Sequence, residues 1–160
     1  MLIRQEVFVI EGVRTKQLKW LKDDRGRLME MLRCNDDIFR GFGQVYVTCV
    51  NPGVVKGWHY HKKQDDSFVP MAGKVRVGLY DDRDKSPTKG EVAEFILSPD
   101  QPYILQIPRG VVHGFENIGD TEAMVLNLPN MPYDHEHPDE LRMDPFKNDI
   151  PFKWKATRGG

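Results

Sequence analysis

The chain has 160 residues, a length typical of one domain, with 23 basic and 24 acidic side chains and a net charge of −1. This balance argues against a protein that binds nucleic acid or a membrane surface through bulk charge. Charged side chains occur within the first six residues, and no apolar run approaches the roughly 18 residues of a membrane span. We therefore expect a soluble, cytoplasmic protein without a signal sequence, with Cys34 and Cys49 as reduced thiols.

Short runs of apolar and β-branched residues, separated by turn residues, dominate the chain. The strands they predict lie at residues 44–50, 74–80, 93–97, 103–107 and 123–127. Residues 35–39 predict a single helical turn instead. Such a series of short strands indicates a sandwich or a barrel. We expect one domain over residues 1–160, with the core barrel at about 42–128 and a wrapping tail, rich in Pro, Asp and His, at 129–160.

Three histidines carry the clearest chemical signal. His59 and His61 lie two residues apart, and side chains at i and i+2 of a strand point to the same face. Both imidazoles should therefore share one pocket. About fifty residues later, the Pro-x-Gly turn at 108–110 precedes His113 at the start of another strand. Three inward histidines in a small barrel predict a site for chemistry.

The spacing of these residues resembles the two signature motifs of the cupin superfamily, which are double-stranded β-helix, or jelly-roll, barrels. The first motif is matched by Gly53, His59, His61, Asp65 and Gly73, and the second by residues 108–117. Asp65 stands where a glutamate is usual, and the interval to Gly73 is one residue longer than usual. The resemblance implies an all-β barrel with additional N-terminal strands. It also leaves open a metal-dependent isomerase or dioxygenase, with His59, His61, Asp65 and His113 as ligands of Zn, Fe, Mn or Ni.

A closer resemblance, from about residue 24 to residue 154, identifies the chain as a divergent member of the dTDP-4-dehydrorhamnose 3,5-epimerase family. It is carried by Asp24-Arg25-Gly26 with Glu30, Phe42-x-Gln44, Lys56-Gly57-Trp58-His59-Tyr60, Arg83-x-x-Ser86-Pro87-Thr88-x-Gly90 and residues 107–115. The resemblance implies an epimerase of a nucleotide-linked, dTDP-type 4-keto-6-deoxy sugar in deoxysugar and polysaccharide biosynthesis. It further implies a homodimer, with the N-terminal segment reaching the partner's site, and no metal or other cofactor.

The resemblance also assigns roles to individual residues. His59 would be the base that removes a proton next to the ketone, because an imidazole titrates near working pH. Tyr133 would be the acid on the opposite face of the sugar. The substrate-binding residues would be Arg25 and Lys56 at the diphosphate, Glu30 and Gln44 around the nucleotide, and His61 and His113 in the pocket.

The chain departs from the family pattern at three points. Ser67 stands where the family has a lysine near the keto oxygen, and His61 replaces a glutamine. The aspartate that orients the base from a C-terminal segment has no counterpart, so Asp65 or Asp66 would take its role, or nothing does. Single epimerisation, keto-isomerisation and a non-catalytic sugar-nucleotide-binding protein are therefore alternatives to double epimerisation.

Overall fold

The computed structural model describes residues 10–160, and this part of the chain contains β-strands and no α-helix. The strands are β1 Arg14–Gln17, β2 Leu21–Asp23, β3 Gly26–Leu28, β4 Tyr46–Val50, β5 Val54–Tyr60, β6 Asp66–Ala72, β7 Val75–Asp81, β8 Val92–Leu97, β9 Tyr103–Ile107, β10 Val111–Asn117, β11 Ala123–Asn127, β12 Leu141–Arg142 and β13 Arg158–Gly159. The predicted segments 103–107 and 123–127 coincide with β9 and β11, and the other three are shifted by one or two residues. Among the described residues, no helix is long and apolar enough to cross a bilayer.

Two sheets form the barrel. One has the strand order β1-β9-β6-β11-β4, and the other has the order β12-β5-β10-β7-β8, with β13 also paired to β5. The β2–β3 hairpin stands apart from both sheets. Residues from both sheets, including Val77, Leu79, Leu105, Phe115 and Val125, form one buried core cluster. The jelly-roll fold predicted from the sequence is confirmed.

The tail packs against the six-stranded sheet. Buried Trp58 contacts Phe152 and Trp154, with ring centroids 5.4 and 4.5 Å away. The carboxylate of buried Glu116 accepts hydrogen bonds from Arg76 Nε at 2.6 Å and from the backbone N–H of Ala156 at 2.6 Å. These contacts hold the tail on the sheet that carries His59.

The predicted helical turn at residues 35–39 is wrong. The backbone N–H of Asp36 donates to Arg33 O, and the N–H of Phe39 donates to Asp36 O, which makes two successive turns. The Asp36 carboxylate accepts the backbone N–H of Arg33 at 2.8 Å and also pairs with Lys16. An aspartate that bonds neighbouring backbone in this way favours turns over helix.

Strands β5 and β10 approach each other closely beside the histidines. Gly57 has a φ of 146°, and a Cβ at this position would lie 2.6 Å from the Cα of Gly114. Only glycine fits such a conformation and such a contact. The register places His59 directly opposite His113.

Candidate active site

A cavity of about 680 Å³ is lined by residues of both sheets and of the tail. The five-stranded sheet contributes side chains of β4 and β6, and the six-stranded sheet contributes side chains of β5 and β10. The tail contributes Tyr133, His135, Glu140, Arg142 and Met143. The cavity therefore has a wall from each sheet and a third side made by the tail.

The three histidines converge at this cavity. The His59 ring centroid lies 5.6 Å from that of His61 and 4.2 Å from that of His113. His61 and His113 are 5.9 Å apart. His59 and His61 line the cavity, and His113 is buried beside them. The prediction that the imidazoles of His59 and His61 share a pocket is confirmed.

Asp66 is the carboxylate at the centre of this cluster. Its Oδ2 lies 3.0 Å from His113 Nε2 and 3.2 Å from His61 Nε2. Its Oδ1 accepts hydrogen bonds from Gln64 Nε2 at 2.8 Å and from Asn127 Nδ2 at 2.9 Å. Burial opposes ionisation of Asp66, but the hydrogen bonds to His113 and His61 outweigh it and hold the pKa of this carboxyl well below its usual range. The cluster therefore contains a buried carboxylate anion.

The structure corrects the assignment of Asp65 and Ser67. Asp65 is not part of the cluster, because its carboxylate pairs with Arg109 Nε at 3.0 Å. Ser67 bonds to Gln106 Nε2 at 3.4 Å, outside the cavity lining. Asp66 lies between them and points to the histidines. Counted from Asp66, the interval to Gly73 is six residues, which removes the extra residue in the motif.

His59 lies in an environment that favours the neutral imidazole. Burial, followed by the neighbouring His113, lowers the pKa of His59 well below its usual value. Among residues 10–160, no carboxylate hydrogen-bonds to the His59 ring. The tail does reach this position, because β12 pairs with β5 and places Arg142 opposite His59. The C-terminal segment thus offers an arginine beside His59 instead of an aspartate.

The backbone holds the other ring nitrogen of His61 and of His113. His61 Nδ1 lies 2.5 Å from Asp139 O, and His113 Nδ1 lies 2.9 Å from Val111 O. Since a carbonyl only accepts, each Nδ1 carries a proton, and each Nε2 faces Asp66. Burial opposes protonation of His61, but the hydrogen bond to Asp66 outweighs it and raises the pKa of His61.

The same geometry fits a metal ion. One ligand atom each from His59, His61, Asp66 and His113 lie within 4.8 Å of one another. Histidine ligands usually donate their second ring N–H to a carbonyl or carboxylate, as Nδ1 does here in His61 and His113. Three imidazoles and one carboxylate suit a divalent transition metal. In the metal-dependent alternative, the carboxylate ligand is therefore Asp66 and not Asp65, which the sequence predicted.

The other predicted site residues separate into two groups. Gln44, Lys56 and Tyr133 line the cavity, and Lys56 Nζ donates to Thr48 Oγ1 at 3.1 Å. Arg25 and Glu30 do not line it. Arg25 lies at the turn of the β2–β3 hairpin, where its side chain is 84% accessible and pairs with Asp23.

Several residues that line the cavity were not predicted from the sequence as site residues. Tyr46 could have been found, because it shares a strand face with Gln44 and Thr48 by the period-two rule, and all three line the cavity. Arg142 and His135 lie in the tail, which has no such periodicity. Asp139, which does not line this cavity, was also not identified, and its carboxylate accepts the backbone N–H groups of Lys62, Lys63 and Gln64 in the loop after β5.

Comparison with known proteins gives consistent results. Residues 21–141 match the family model described as the polysaccharide biosynthesis C-terminal domain. The chain is 38% identical over 148 residues to the spore coat polysaccharide biosynthesis protein SpsL of Bacillus subtilis, covering 92% of this chain and 98% of SpsL. It is 39% identical over 153 residues to the probable low-salt glycan biosynthesis epimerase Agl13 of Haloferax volcanii, covering 94% and 98%.

The solved structures include a similar protein. A dTDP sugar isomerase from Desulfovibrio desulfuricans superimposes with a TM-score of 0.85 and is 35% identical, covering 91% of this chain and 92% of that one. The similarity extends over nearly the whole of both chains.

Proposed function

Because this chain belongs to the polysaccharide biosynthesis C-terminal domain family, and is a divergent member of the dTDP-4-dehydrorhamnose 3,5-epimerase-like proteins, we propose that it is a sugar-nucleotide epimerase. Its substrate is a nucleotide-linked, dTDP-type 4-keto-6-deoxy sugar, used in the synthesis of a glycan or polysaccharide. The names of SpsL and Agl13 support a role in polysaccharide or glycan biosynthesis, the name of Agl13 supports epimerisation, and that of the Desulfovibrio isomerase supports a dTDP sugar.

One observation carries the chemistry: the imidazole of His59 lines a cavity large enough for a small ligand. Burial, followed by the neighbouring His113, lowers its pKa and so favours the neutral form that can accept a proton. A ketone acidifies the protons on the neighbouring ring carbons. His59 takes one of these protons, the electron pair moves into an enolate, and a proton returns from the opposite face. Tyr133 lines the same cavity and is the proposed donor. The proton that His59 gains lies near the Asp66 anion, which offsets its charge.

The test is solvent exchange with a dTDP-linked 4-keto-6-deoxy sugar in D2O. The wild type should introduce deuterium at a carbon next to the ketone, and His59→Gln should lower this rate by about 10²–10⁴-fold, the usual contribution of a general base. His137→Ala is the matched control, because the His137 side chain is 84% accessible and does not line this cavity. Exchange by His59→Gln at the wild-type rate would exclude His59 as the base.

We also propose that the enzyme is a homodimer in which the β2–β3 hairpin serves the partner's cavity. Within one chain, Arg25 and Glu30 lie outside the cavity. Strand β4 is at the edge of its sheet, and exposed apolar side chains lie on or near it and on the hairpin: Leu21, Leu28, Phe42, Val45 and Val47. Such edges and patches favour pairing with another chain. Light scattering at micromolar concentration should give about twice the 18.5 kDa mass of one chain. A monomer that binds dTDP would contradict the proposal.

A metal-dependent cupin enzyme is the second candidate, and the convergence of His59, His61, Asp66 and His113 favours it. A divalent ion bound there would polarise the substrate carbonyl. His59 would then be a ligand and could not act as the free base. The first candidate uses acid–base chemistry alone and expects no stoichiometric metal.

Elemental analysis of protein purified without a chelator separates the two candidates. Full exchange activity with far less than one metal per chain supports the free base. One tightly bound transition metal per chain, lost together with activity on chelation, supports the metal enzyme. The same samples should be tested for dTDP binding, because binding without any exchange would indicate a sugar-nucleotide-binding protein.

A further inference from the structure

Tyr46 lines the cavity from the sheet that does not carry His59. It lies on β4 of the five-stranded sheet, whereas His59 lies on β5 of the six-stranded sheet, and both line the cavity. Tyr46 keeps 42% of its surface accessible, so a ligand in the cavity can reach it. The register of β4 and β11 places Asn127 directly beside it.

The hydrogen bonds of Asn127 determine whether the Tyr46 hydroxyl accepts or donates. Asn127 Oδ1 accepts the backbone N–H of Ser67 at 3.0 Å, so the amide orientation is determined and Nδ2 is the donor. Nδ2 donates to Tyr46 Oη at 2.9 Å and to Asp66 Oδ1 at 2.9 Å. The Tyr46 oxygen is therefore an acceptor, and its own O–H is left to donate. Among residues 10–160, no acceptor takes that O–H.

The phenol keeps its proton at neutral pH. Burial, followed by the negative charge of Asp66, raises the pKa of Tyr46 to about 12. A neutral donor that is held in place and partly shielded from water is well suited to stabilise an oxyanion. Tyrosines perform this function in other enzymes that form enolates.

The enolate oxygen needs such a donor in this cavity. Ser67, which stands at the sequence position expected for a lysine, is outside the cavity lining. Of the two long cationic side chains that line it, Lys56 donates to Thr48 at 3.1 Å and is assigned to the diphosphate, and Arg142 is paired with Glu140 at 2.6 Å. Tyr46 has a free donor and no competing acceptor.

We propose that the Tyr46 phenol donates a hydrogen bond to the enolate oxygen formed when His59 removes the proton next to the ketone. This inference rests on the proposed epimerase function. The carbonyl C=O π bond becomes a C–O⁻ bond as the C–H electron pair forms the enolate C=C bond. Tyr46 retains its proton throughout, and the proton that returns to carbon comes from a different group, Tyr133.

The experiment compares Tyr46→Phe with the wild type in the D2O assay. Removal of one oxyanion donor typically costs about 10²–10³-fold in rate. Because the enolate forms before inversion, Tyr46→Phe should lose deuterium exchange and epimerisation in equal proportion. Binding of dTDP alone, measured by calorimetry, should be unchanged. Tyr133→Phe should show the opposite pattern, with exchange retained and inversion lost.

Tyr103→Phe is the matched control. Tyr103 also has a pKa raised to about 12 by burial, but its O–H donates to Ile96 O at 2.8 Å, and it does not line the cavity. This variant should exchange and epimerise as the wild type does. A loss of rate in Tyr103→Phe equal to that in Tyr46→Phe would overturn the inference, because the effect would then come from stability.

The remaining outcomes also decide the question. Exchange by Tyr46→Phe at the wild-type rate overturns the inference and leaves the proposed function intact. Exchange without inversion makes Tyr46 the donor to carbon and likewise overturns it. A wild type that binds dTDP but exchanges nothing overturns the proposed function itself. If Tyr46→Phe does not fold, Tyr46→fluorotyrosine replaces it in the assay. The fluorinated phenol still accepts the hydrogen bond from Asn127 but is more acidic. An unchanged deuterium-exchange rate in this variant would contradict the inference.

Discussion

Replacement of Asp66 by leucine should destabilise the protein much more than replacement by asparagine. The carboxylate faces four hydrogen-bond groups at 2.8–3.2 Å, on Gln64, Asn127, His61 and His113. Leucine has a similar size and accepts none of these bonds. Each buried donor or acceptor left without a partner costs about 1–3 kcal/mol, so four such groups give a loss of about 4 kcal/mol or more in the free energy of unfolding.

Asparagine at position 66 can satisfy all four groups. Its carbonyl oxygen would accept from Gln64 and Asn127, and its amide would donate to Nε2 of His61 and His113. Both histidines would keep their Nδ1–H bonds to backbone carbonyls. The expected loss is therefore no more than about 1.5 kcal/mol, the usual net value of one hydrogen bond.

Urea unfolding at pH 7.5, with a chelator present in all samples, measures this difference. Asp65→Asn is the control for the neighbouring carboxylate, which lies outside the cluster and pairs with the partly exposed Arg109. Equal losses for Asp66→Leu and Asp66→Asn would refute the reasoning, because they would mean that charge, and not the count of hydrogen bonds, sets the stability of the cluster.

Three further predictions follow from the same structure. If Arg25 serves the partner's cavity, an equal mixture of Arg25→Ala and His59→Ala chains should regain about one quarter of the wild-type deuterium-exchange rate after the subunits exchange. Half of the dimers would then contain one chain of each kind, and each of these would have one intact site out of two. A mixture as inactive as its parents would show that Arg25 acts within its own chain. Asp81 is buried, and burial opposes its ionisation. The hydrogen bonds that its carboxylate accepts from Arg83, Ser86 and Thr88 outweigh this effect and hold the pKa of Asp81 below its usual range. The stabilisation that ionised Asp81 gives the folded protein is complete above about pH 3.9, the pKa of an aspartate in the unfolded chain. It is lost as pH falls through the lower pKa that Asp81 has in the folded state. Asp81→Asn should therefore cost about 1.5–3 kcal/mol at pH 7, with a smaller difference in urea titrations below pH 4, and a pH-independent difference would contradict the role of the charge. Lys56→Ala should weaken dTDP binding and reduce its salt dependence, whereas Lys155→Ala, at an exposed tail position, should bind as the wild type does in calorimetry.

The barrel was predictable because period-two alternation marks strand faces directly. The same rule brought His59 and His61 together, and the position of His113 after a Pro-x-Gly turn completed the cluster. The rule failed at Asp65 and Asp66, because consecutive polar residues give no sign of which side chain points inward. Both are buried in the structure, so burial alone would not separate them either. Their roles are set by long-range partners, Arg109 for one and the two histidines for the other.

The positions of Arg142 and Arg25 could not be predicted from the sequence, for different reasons. Arg142 lies opposite His59 because the tail adds a two-residue strand to β5, a pairing between distant segments that no local pattern encodes. Arg25 lies at a hairpin turn outside its own chain's cavity, so its predicted contact with the diphosphate depends on a second chain. The family resemblance predicts that the N-terminal segment reaches the partner's site, and residues 1–9 of that segment lie outside the described residues.

The two walls of the cavity divide the chemistry between them. The six-stranded sheet supplies the proton acceptor, His59, whereas the five-stranded sheet supplies Asp66 and the Tyr46 phenol. Asn127 joins the last two, because its Nδ2 donates to both of them. The anion that compensates a proton on His59 and the donor that would meet the enolate are thus held by one amide. A shift between the sheets would misplace both groups relative to His59 at once, and the hydrogen bond between Asp66 of β6 and His113 of β10, at 3.0 Å across the two sheets, opposes such a shift.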